Sequence, residues 1–240
     1  MCFRLPAGDS NSGLFMGIFY HVAMSKHLIT IPPKKFFKCK IHTMFTRDDL
    51  PRLKADISLD AELLGHPMKF STKWGLFSPR AIDEGTLLLL KHLEISKTDK
   101  CLDLGCGYGP IGLSVAKSCP QGEVHLIDKD FVAIEMAAKN AEKNNIKNTE
   151  IYLSDAFSEV DKLDYFDQVI SNIPAKVGRE QLSIILYDAY DSLKVGGKLT
   201  FVTINGLRSF MKTNFQEVFG NYKKLKQGKN YTVSQAIKIK

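Results

Sequence analysis

Residues 101–112 read Cys-Leu-Asp-Leu-Gly-Cys-Gly-Tyr-Gly-Pro-Ile-Gly: a short apolar run, an acid near its end, then glycines at alternate positions. Gly105, Gly107 and Gly109 let a chain turn sharply and bring its backbone close to a ligand with no Cβ in the way. Pro110 suits the first turn of a helix, where a missing N–H costs nothing. Such a strand–loop–helix junction stands at the carboxyl end of an α/β sheet, where open sheets take their ligands. Gly107-x-Gly109-x-x-Gly112 also satisfies the dinucleotide fingerprint, with an acid following at Asp128.

The acid separates the two ligand chemistries. Asp103, beside the loop, repels a pyrophosphate and attracts a protonated amino group, such as that of the methionine portion of S-adenosylmethionine. Asp103, Gly105, Cys106, Gly107 and Gly109 are therefore the expected cofactor residues of this loop. Asp128 ends the next apolar run, Leu126-Ile127-Asp128, where a carboxylate can accept both ribose hydroxyls; Lys129 follows it. Asp155, in Ser154-Asp155-Ala156-Phe157, follows the third such run. It can accept from an adenine amino group beside Ala156, or close an Asx turn on its own backbone. Thr86, early in a helical pattern, either reaches the cofactor's carboxylate or serves the helix start.

A second loop bears on the acceptor. Val169-Ile170-Ser171-Asn172-Ile173-Pro174-Ala175 leaves the fourth run. Methyl transfer to an amino nitrogen needs two acceptors aimed at its N–H groups, so that the lone pair lies in line with the methyl carbon. The Asn172 side-chain oxygen and the Ile173 carbonyl meet that need. Pro174 biases Ile173 to an extended conformation. Asn172, Ile173 and Pro174 are the expected catalytic residues, with Asn172 also beside the cofactor.

The elements that must position these loops follow from periodicity. Ser58–Leu63 and Met68–Ser71 alternate weakly about Gly65-His66-Pro67, predicting a hairpin. A helix is predicted from Asp83 to Leu93. Strands are predicted at Lys100–Leu104, Glu123–Ile127, Glu150–Leu153, Phe166–Ser171 and Lys198–Ile204. Helices at Pro110–Ser118, Val132–Asn144, Gln181–Leu193 and Leu207–Phe219 separate or follow them. Tyr222–Lys226 and Tyr231–Ile239 close the chain as a hairpin about Gly228, giving an antiparallel strand at one edge. Such alternation predicts a doubly wound α/β fold: a mostly parallel seven-stranded sheet with an antiparallel C-terminal strand, preceded by a short β-hairpin.

Charge is unevenly distributed. The 240 residues carry +7 overall, with +5 in 1–43, +6 in 212–240 and −4 between. Basic ends around an acidic body suit a polyanion such as RNA, and equally a pair of solvated lysine faces. The five cysteines, Cys2, Cys39, Cys101, Cys106 and Cys119, form no CxxC pair, so reduced thiols are expected, with neither a disulfide framework nor a metal site. Cys39 and His42 have metal-like spacing without a second ligand pair. The apolar run Gly13–Met24 is too short to span a bilayer, and a cytoplasmic protein is expected. Residues 1–43 read as an extension, disordered or upstream of a native start at Met24 or Met44, and 44–240 as the catalytic domain. Monomer and homodimer both stay open.

Together, Asp103–Gly109, Asp128, Asp155 and the Asn-x-Pro at 172–174 resemble the class I methyltransferases. Gly75-Leu76-Phe77-Ser78, Asp83-Glu84-Gly85-Thr86, Val195-Gly196-Gly197 and Val218-Phe219-Gly220-Asn221 resemble the "methyltransferase small" family within them. That family includes the small-subunit ribosomal RNA guanine-N2 methyltransferases, and the resemblance covers about residues 58–239. It implies a Rossmann-like methyltransferase domain, S-adenosylmethionine as cofactor and a ribosomal RNA guanine N2 as acceptor. A protein glutamine, a small molecule, or RNA binding without transfer are the alternatives. The chain departs from the family at one place: Asn-Pro-Pro-aromatic is here Asn172-Ile173-Pro174-Ala175, so either base stacking falls to Phe77 or Trp74, or the target is not a flipped base.

Overall fold

The computed structural model describes residues 45–240. The expectations for 1–43, with Gly13–Met24, Cys39 and His42, lie outside the described residues. A short helix α1 (Leu50–Lys54) leads into β1 (Ile57–Leu63) and β2 (His66–Thr72), paired antiparallel along their whole length. The hairpin turns at Leu64-Gly65, with φ of 50° and 77°, and not at Gly65-His66-Pro67. Positive φ at both turn positions matches the right-handed twist of a two-residue hairpin, which returns His66 and Pro67 to the strand.

The remaining elements are α2 (Glu84–Leu90), β3 (Lys100–Leu104), α3 (Pro110–Ser118), β4 (Glu123–Asp128), α4 (Phe131–Lys143), β5 (Thr149–Leu153), β6 (Phe166–Asn172), α5 (Arg179–Ser192), β7 (Leu193–Ile204), α6 (Arg208–Phe219), β8 (Lys223–Gln227) and β9 (Tyr231–Ile237). The sheet order is β5-β4-β3-β6-β7-β9-β8. β3 to β7 are parallel, and β9 runs antiparallel to both β7 and β8. The seven-stranded mixed sheet is as expected. The antiparallel strand, however, is interior, and the edge is β8. The reason lies in composition: β9 (Tyr-Thr-Val-Ser-Gln-Ala-Ile) is mostly buried, whereas Lys-Lys-Leu-Lys-Gln of β8 is mostly exposed. Lysines on an edge strand discourage pairing with another chain.

Successive strand residues divide between two cores, as a pleated sheet requires. Cys101, Leu126, Ile170 and Val202 face α2, α3 and α4; Leu102, Ile127, Val169 and Phe201 face α5 and α6. The hairpin docks on the first of these layers through α4. Asn140 Oδ1 accepts from Ser71 N at 2.6 Å while its Nδ2 donates to Ser71 O at 2.8 Å and to Tyr108 O at 2.8 Å. One turn later, Asn144 grips Lys69 N and Lys69 O in the same way, at 2.9 and 2.7 Å. Two asparagines one helical turn apart thus take the place of a strand along the open edge of β2. Among the described residues no helix is long and apolar enough to cross a membrane.

Candidate active site

The ends of β3, β4, β5 and β6 meet at one cleft of about 320 Å³, within the size range of small-molecule sites. Its floor is the glycine loop. Gly105, Gly107 and Gly109 have φ of 72°, 56° and 94°, where a side chain is strained, and a Cβ on Gly105 or Gly107 would meet no atom within 4 Å. The loop is tied to the next strand, since Gly105 N and Cys106 N both donate to Ile127 O at 2.9 Å. Gly107 N donates to Asp128 Oδ2 at 2.9 Å, and Asp130 N to Asp128 Oδ1 at 2.9 Å. Asp128 is thus aimed by two backbone donors, with lone pairs remaining on both oxygens for a diol.

Two expected residues stand behind the wall of the cleft, not in it. Gly109 is the N-cap of α3, where it packs against Leu113. Asp103 lies beneath the loop, 1% exposed, with Oδ2 accepting from Gly112 N at 2.7 Å. Gly112 is the third residue of α3, so Asp103 supplies the capping acceptor that Gly109 lacks. Its Oδ1 is buried and has no hydrogen-bond partner among the described residues. Burial, with some help from the Asp128 charge and against the Gly112 N–H, pushes its carboxyl up to about 7.

The other expected residues line the cleft: Thr86, Gly105, Cys106, Gly107, Asp128, Lys129, Asp155, Ala156, Asn172, Ile173 and Pro174. Asp155 does not close an Asx turn; no donor among the described residues reaches its carboxylate, and Ser158 Oγ instead receives its N–H at 3.2 Å. Ala156 holds the left-handed φ of 53°, fixed in part by Ser154 Oγ donating to its carbonyl at 2.7 Å. Four carboxylates (Asp83, Asp128, Asp130 and Asp155) and one lysine, Lys129, line the cleft. That field favours a cation and opposes a pyrophosphate.

On the acceptor side, Asn172 ends β6 with Nδ2 donating to Asp83 Oδ2 at 2.9 Å and to Thr86 Oγ1 at 3.0 Å. A carboxylate only accepts, so the amide orientation is set by chemistry, and Oδ1 is the end left for the cleft. Next to it, Ile173 N donates to Val202 O at 3.0 Å, while the Ile173 carbonyl accepts from no group among the described residues. Two unpartnered acceptors on adjacent residues at the cleft wall are what an amine needs. Thr86, 4% exposed, serves Asn172 from the first turn of α2.

Sequence reasoning missed Tyr108 and the full part played by Asp83. Tyr108 is 3% exposed, packs edge-on against Phe70 at 5.8 Å and donates to Ser78 O at 3.4 Å, so the hairpin and the Gly75–Ser78 loop brace the floor. Asp83 accepts from Gly85 N, Thr86 N and Asn172 on Oδ2, and from Tyr231 OH at 3.1 Å on Oδ1. The predicted helix begins at Asp83, whereas in the structure Asp83 is the N-cap of α2, and no local signal pairs it with residues 89 and 148 positions away. Phe77 lines the cleft with 61% of its surface exposed, whereas Trp74 stands outside the lining with Arg80 over its ring.

The family model for the methyltransferase small domain matches residues 67–235. The uncharacterized protein YbxB of Bacillus subtilis is 34% identical over 71% of this chain and 86% of its own length. The ribosomal RNA small subunit methyltransferase C of Hamiltonella defensa is 32% identical over 70% of this chain and 50% of its own length. Among solved structures, the 16S rRNA N2-guanine methyltransferase of T. thermophilus, in complex with AdoMet and guanosine, superposes with a TM-score of 0.69 at 27% identity. It covers 76% of this chain, which spans 50% of that enzyme. The chain thus spans about half the length of these ribosomal RNA methyltransferases. By sequence and by fold, the chain belongs to the methyltransferase small domain family, whose members are S-adenosylmethionine-dependent methyltransferases.

Proposed function

We propose that the protein transfers a methyl group from S-adenosylmethionine to an exocyclic amine of ribosomal RNA, the N2 amino group of a guanine. The observation that carries this reading is the pair of unpartnered acceptors, Asn172 Oδ1 and the Ile173 carbonyl, on the wall of an acidic cleft floored by the glycine loop. The residues present fit the cofactor. Asp103 Oδ1 is an orphaned buried acceptor, and Gly105 and Gly107 leave room where a side chain would stand. Asp128 and Asp155 offer carboxylate oxygens suited to ribose hydroxyls and to an adenine amino group.

S-adenosylmethionine supplies an activated methyl group on a sulfonium centre. The chain's own residues bind, orient and desolvate. Asn172 and Ile173 accept from the two amine N–H groups, so the nitrogen lone pair points into the cleft. Asp83 and Thr86 hold Asn172 in that pose. Phe77, the exposed aromatic on the rim, presents a face on which an unpaired or flipped base can stack, in place of the family's aromatic at Ala175. The proton on the newly methylated nitrogen leaves to water, since transfer from a sulfonium requires no strong general base.

Lys223, Lys224, Lys226 and Lys229, together with Arg208, supply phosphate contacts along the β8 edge; none pairs with an acid among the described residues. The test is transfer of tritiated methyl from S-adenosylmethionine to fractionated total RNA, with nucleoside analysis of the product. The expected product is N2-methylguanosine in the ribosomal RNA fraction. Label in protein glutamine would replace this reading with its nearest rival.

A further inference from the structure

We infer that Asp83 is a positioning residue that sets the catalytic orientation of Asn172, and that Tyr231 of the C-terminal hairpin locks Asp83 in place. The inference rests on the proposed role of Asn172 as an amine acceptor. Four groups converge on this one carboxylate, two from the adjoining first turn of α2 and two from β6 and β9, far along the chain. Oδ2 accepts from Gly85 N at 2.8 Å, from Thr86 N at 3.3 Å and from Asn172 Nδ2 at 2.9 Å. Oδ1 accepts from Tyr231 OH at 3.1 Å.

An asparagine amide alone has two nearly isosteric orientations, and only one presents oxygen to a substrate N–H. The Asp83 carboxylate removes the choice, since the reversed amide would set oxygen against oxygen. Thr86 Oγ1 does not remove it, because a hydroxyl donates as readily as it accepts. Asp83 needs its own orientation fixed, which the two backbone donors of α2 and the Tyr231 hydroxyl provide on its two oxygens. Tyr231 can reach because residue 85 is glycine: a Cβ there would lie 2.9 Å from the Tyr231 ring. The antiparallel strand β9 thereby acquires a place in the chemistry. Its first residue pairs with Ile204 at the carboxyl end of β7, which brings the tyrosine ring to the cleft end of the sheet.

Helix capping and amide positioning separate by substitution. Asp83→Ser keeps a capping oxygen for Gly85 N and Thr86 N but is too short to reach Asn172. Asp83→Asn keeps both roles, with its oxygen where Oδ2 stands and its amide nitrogen toward the Tyr231 hydroxyl oxygen. The measurement is methyl transfer from S-adenosylmethionine to an equimolar mixture of 16S and 23S rRNA transcribed in vitro, with cofactor Kd and Tm in parallel. Asp83→Ser is expected to lower kcat about 100-fold, the cost of a misplaced catalytic group, with Kd within about threefold and Tm little changed. Asp83→Asn is expected to keep kcat within about fivefold of the wild type, because the capping oxygen and the acceptor for Asn172 both remain. In an Asn172→Ala background, Asp83→Ser is expected to cost nothing further, since it acts through Asn172. A wild-type kcat in Asp83→Ser, a weakened Kd with intact kcat, or additive losses in the double variant would each overturn the inference. If Asn172→Ala itself transfers at the wild-type rate, the reading of the acceptor site falls first and this inference with it.

Discussion

Asp128 holds the Gly107 N–H on one carboxylate oxygen at 2.9 Å, fastening the end of β4 to the loop after β3. The same side chain therefore shapes the floor of the cleft and lines it. Asp128→Ala removes both functions, Asp128→Asn only part of them. Hydrogen bonds to a charged group contribute about 1.5–3 kcal/mol each, so removing two from the ribose weakens S-adenosylmethionine binding by about 100-fold or more. Calorimetry with S-adenosylmethionine measures this directly. Unchanged affinity in Asp128→Ala would place the nucleoside elsewhere.

Asp103 gives the protein a pH signature. Its carboxyl, ordinarily near 3.8, is raised to about 7 by burial, so the folded state holds this proton more tightly than the unfolded chain does. The stabilisation is fully present below pH 3.8 and is lost as pH rises to about 7. It amounts to something on the order of 4 kcal/mol. Asp103→Asn is expected to flatten that part of the stability–pH curve in urea denaturation. A cationic ligand favours the ionised form, so S-adenosylmethionine affinity is expected to rise as pH approaches 7 and to level off above it. A flat profile, identical in the variant, would remove Asp103 from both roles.

Asn140 is the test of how the hairpin is held. Asn140→Leu keeps the branched shape but strands Ser71 N, Ser71 O and Tyr108 O in a buried setting. Each buried unpaired group costs about 1–3 kcal/mol, so a loss of roughly 3 kcal/mol or more is expected in urea unfolding. Faster hydrogen exchange at the Ser71 amide would locate that loss at the β2 edge.

The β8 lysines give a salt signature. Replacing Lys223, Lys224 and Lys226 with alanine is expected to raise KM for rRNA at constant kcat. It is also expected to reduce the slope of log affinity against log salt by about 0.7 for each single-strand phosphate that a lysine no longer neutralises. An unaltered slope would assign these lysines to edge protection alone.

The cleft was largely legible in the sequence because its wall is built from strand ends, and strand ends are marked by local patterns. The acids after the second and third apolar runs, at 128 and 155, and the Asn172 loop all line the cleft, as their positions at strand ends suggest. Less legible were relationships that depend on which strands become neighbours. Asp103 was expected in the wall and lies under it, because the glycine loop folds over the strand end from which it came. The antiparallel strand was expected at an edge, yet β9 is interior; only the exposed lysines of β8 mark the difference. The Asp83–Tyr231 contact joins the second helix to the last strand, and no periodicity connects them. Asn140 and Asn144 read as polar positions of an amphipathic helix, although each binds a peptide group of β2.

The proposed transfer depends above all on Asn172 holding the amine that receives the methyl group. Its most direct test is single-turnover methyl transfer by Asn172→Ala to in vitro transcribed 16S rRNA, alongside calorimetric S-adenosylmethionine binding. Transfer is expected to fall by about 1,000-fold or more, as when a transition-state contact is removed, while cofactor affinity stays within about threefold. Transfer at the wild-type rate, or a parallel collapse of cofactor binding, would contradict it.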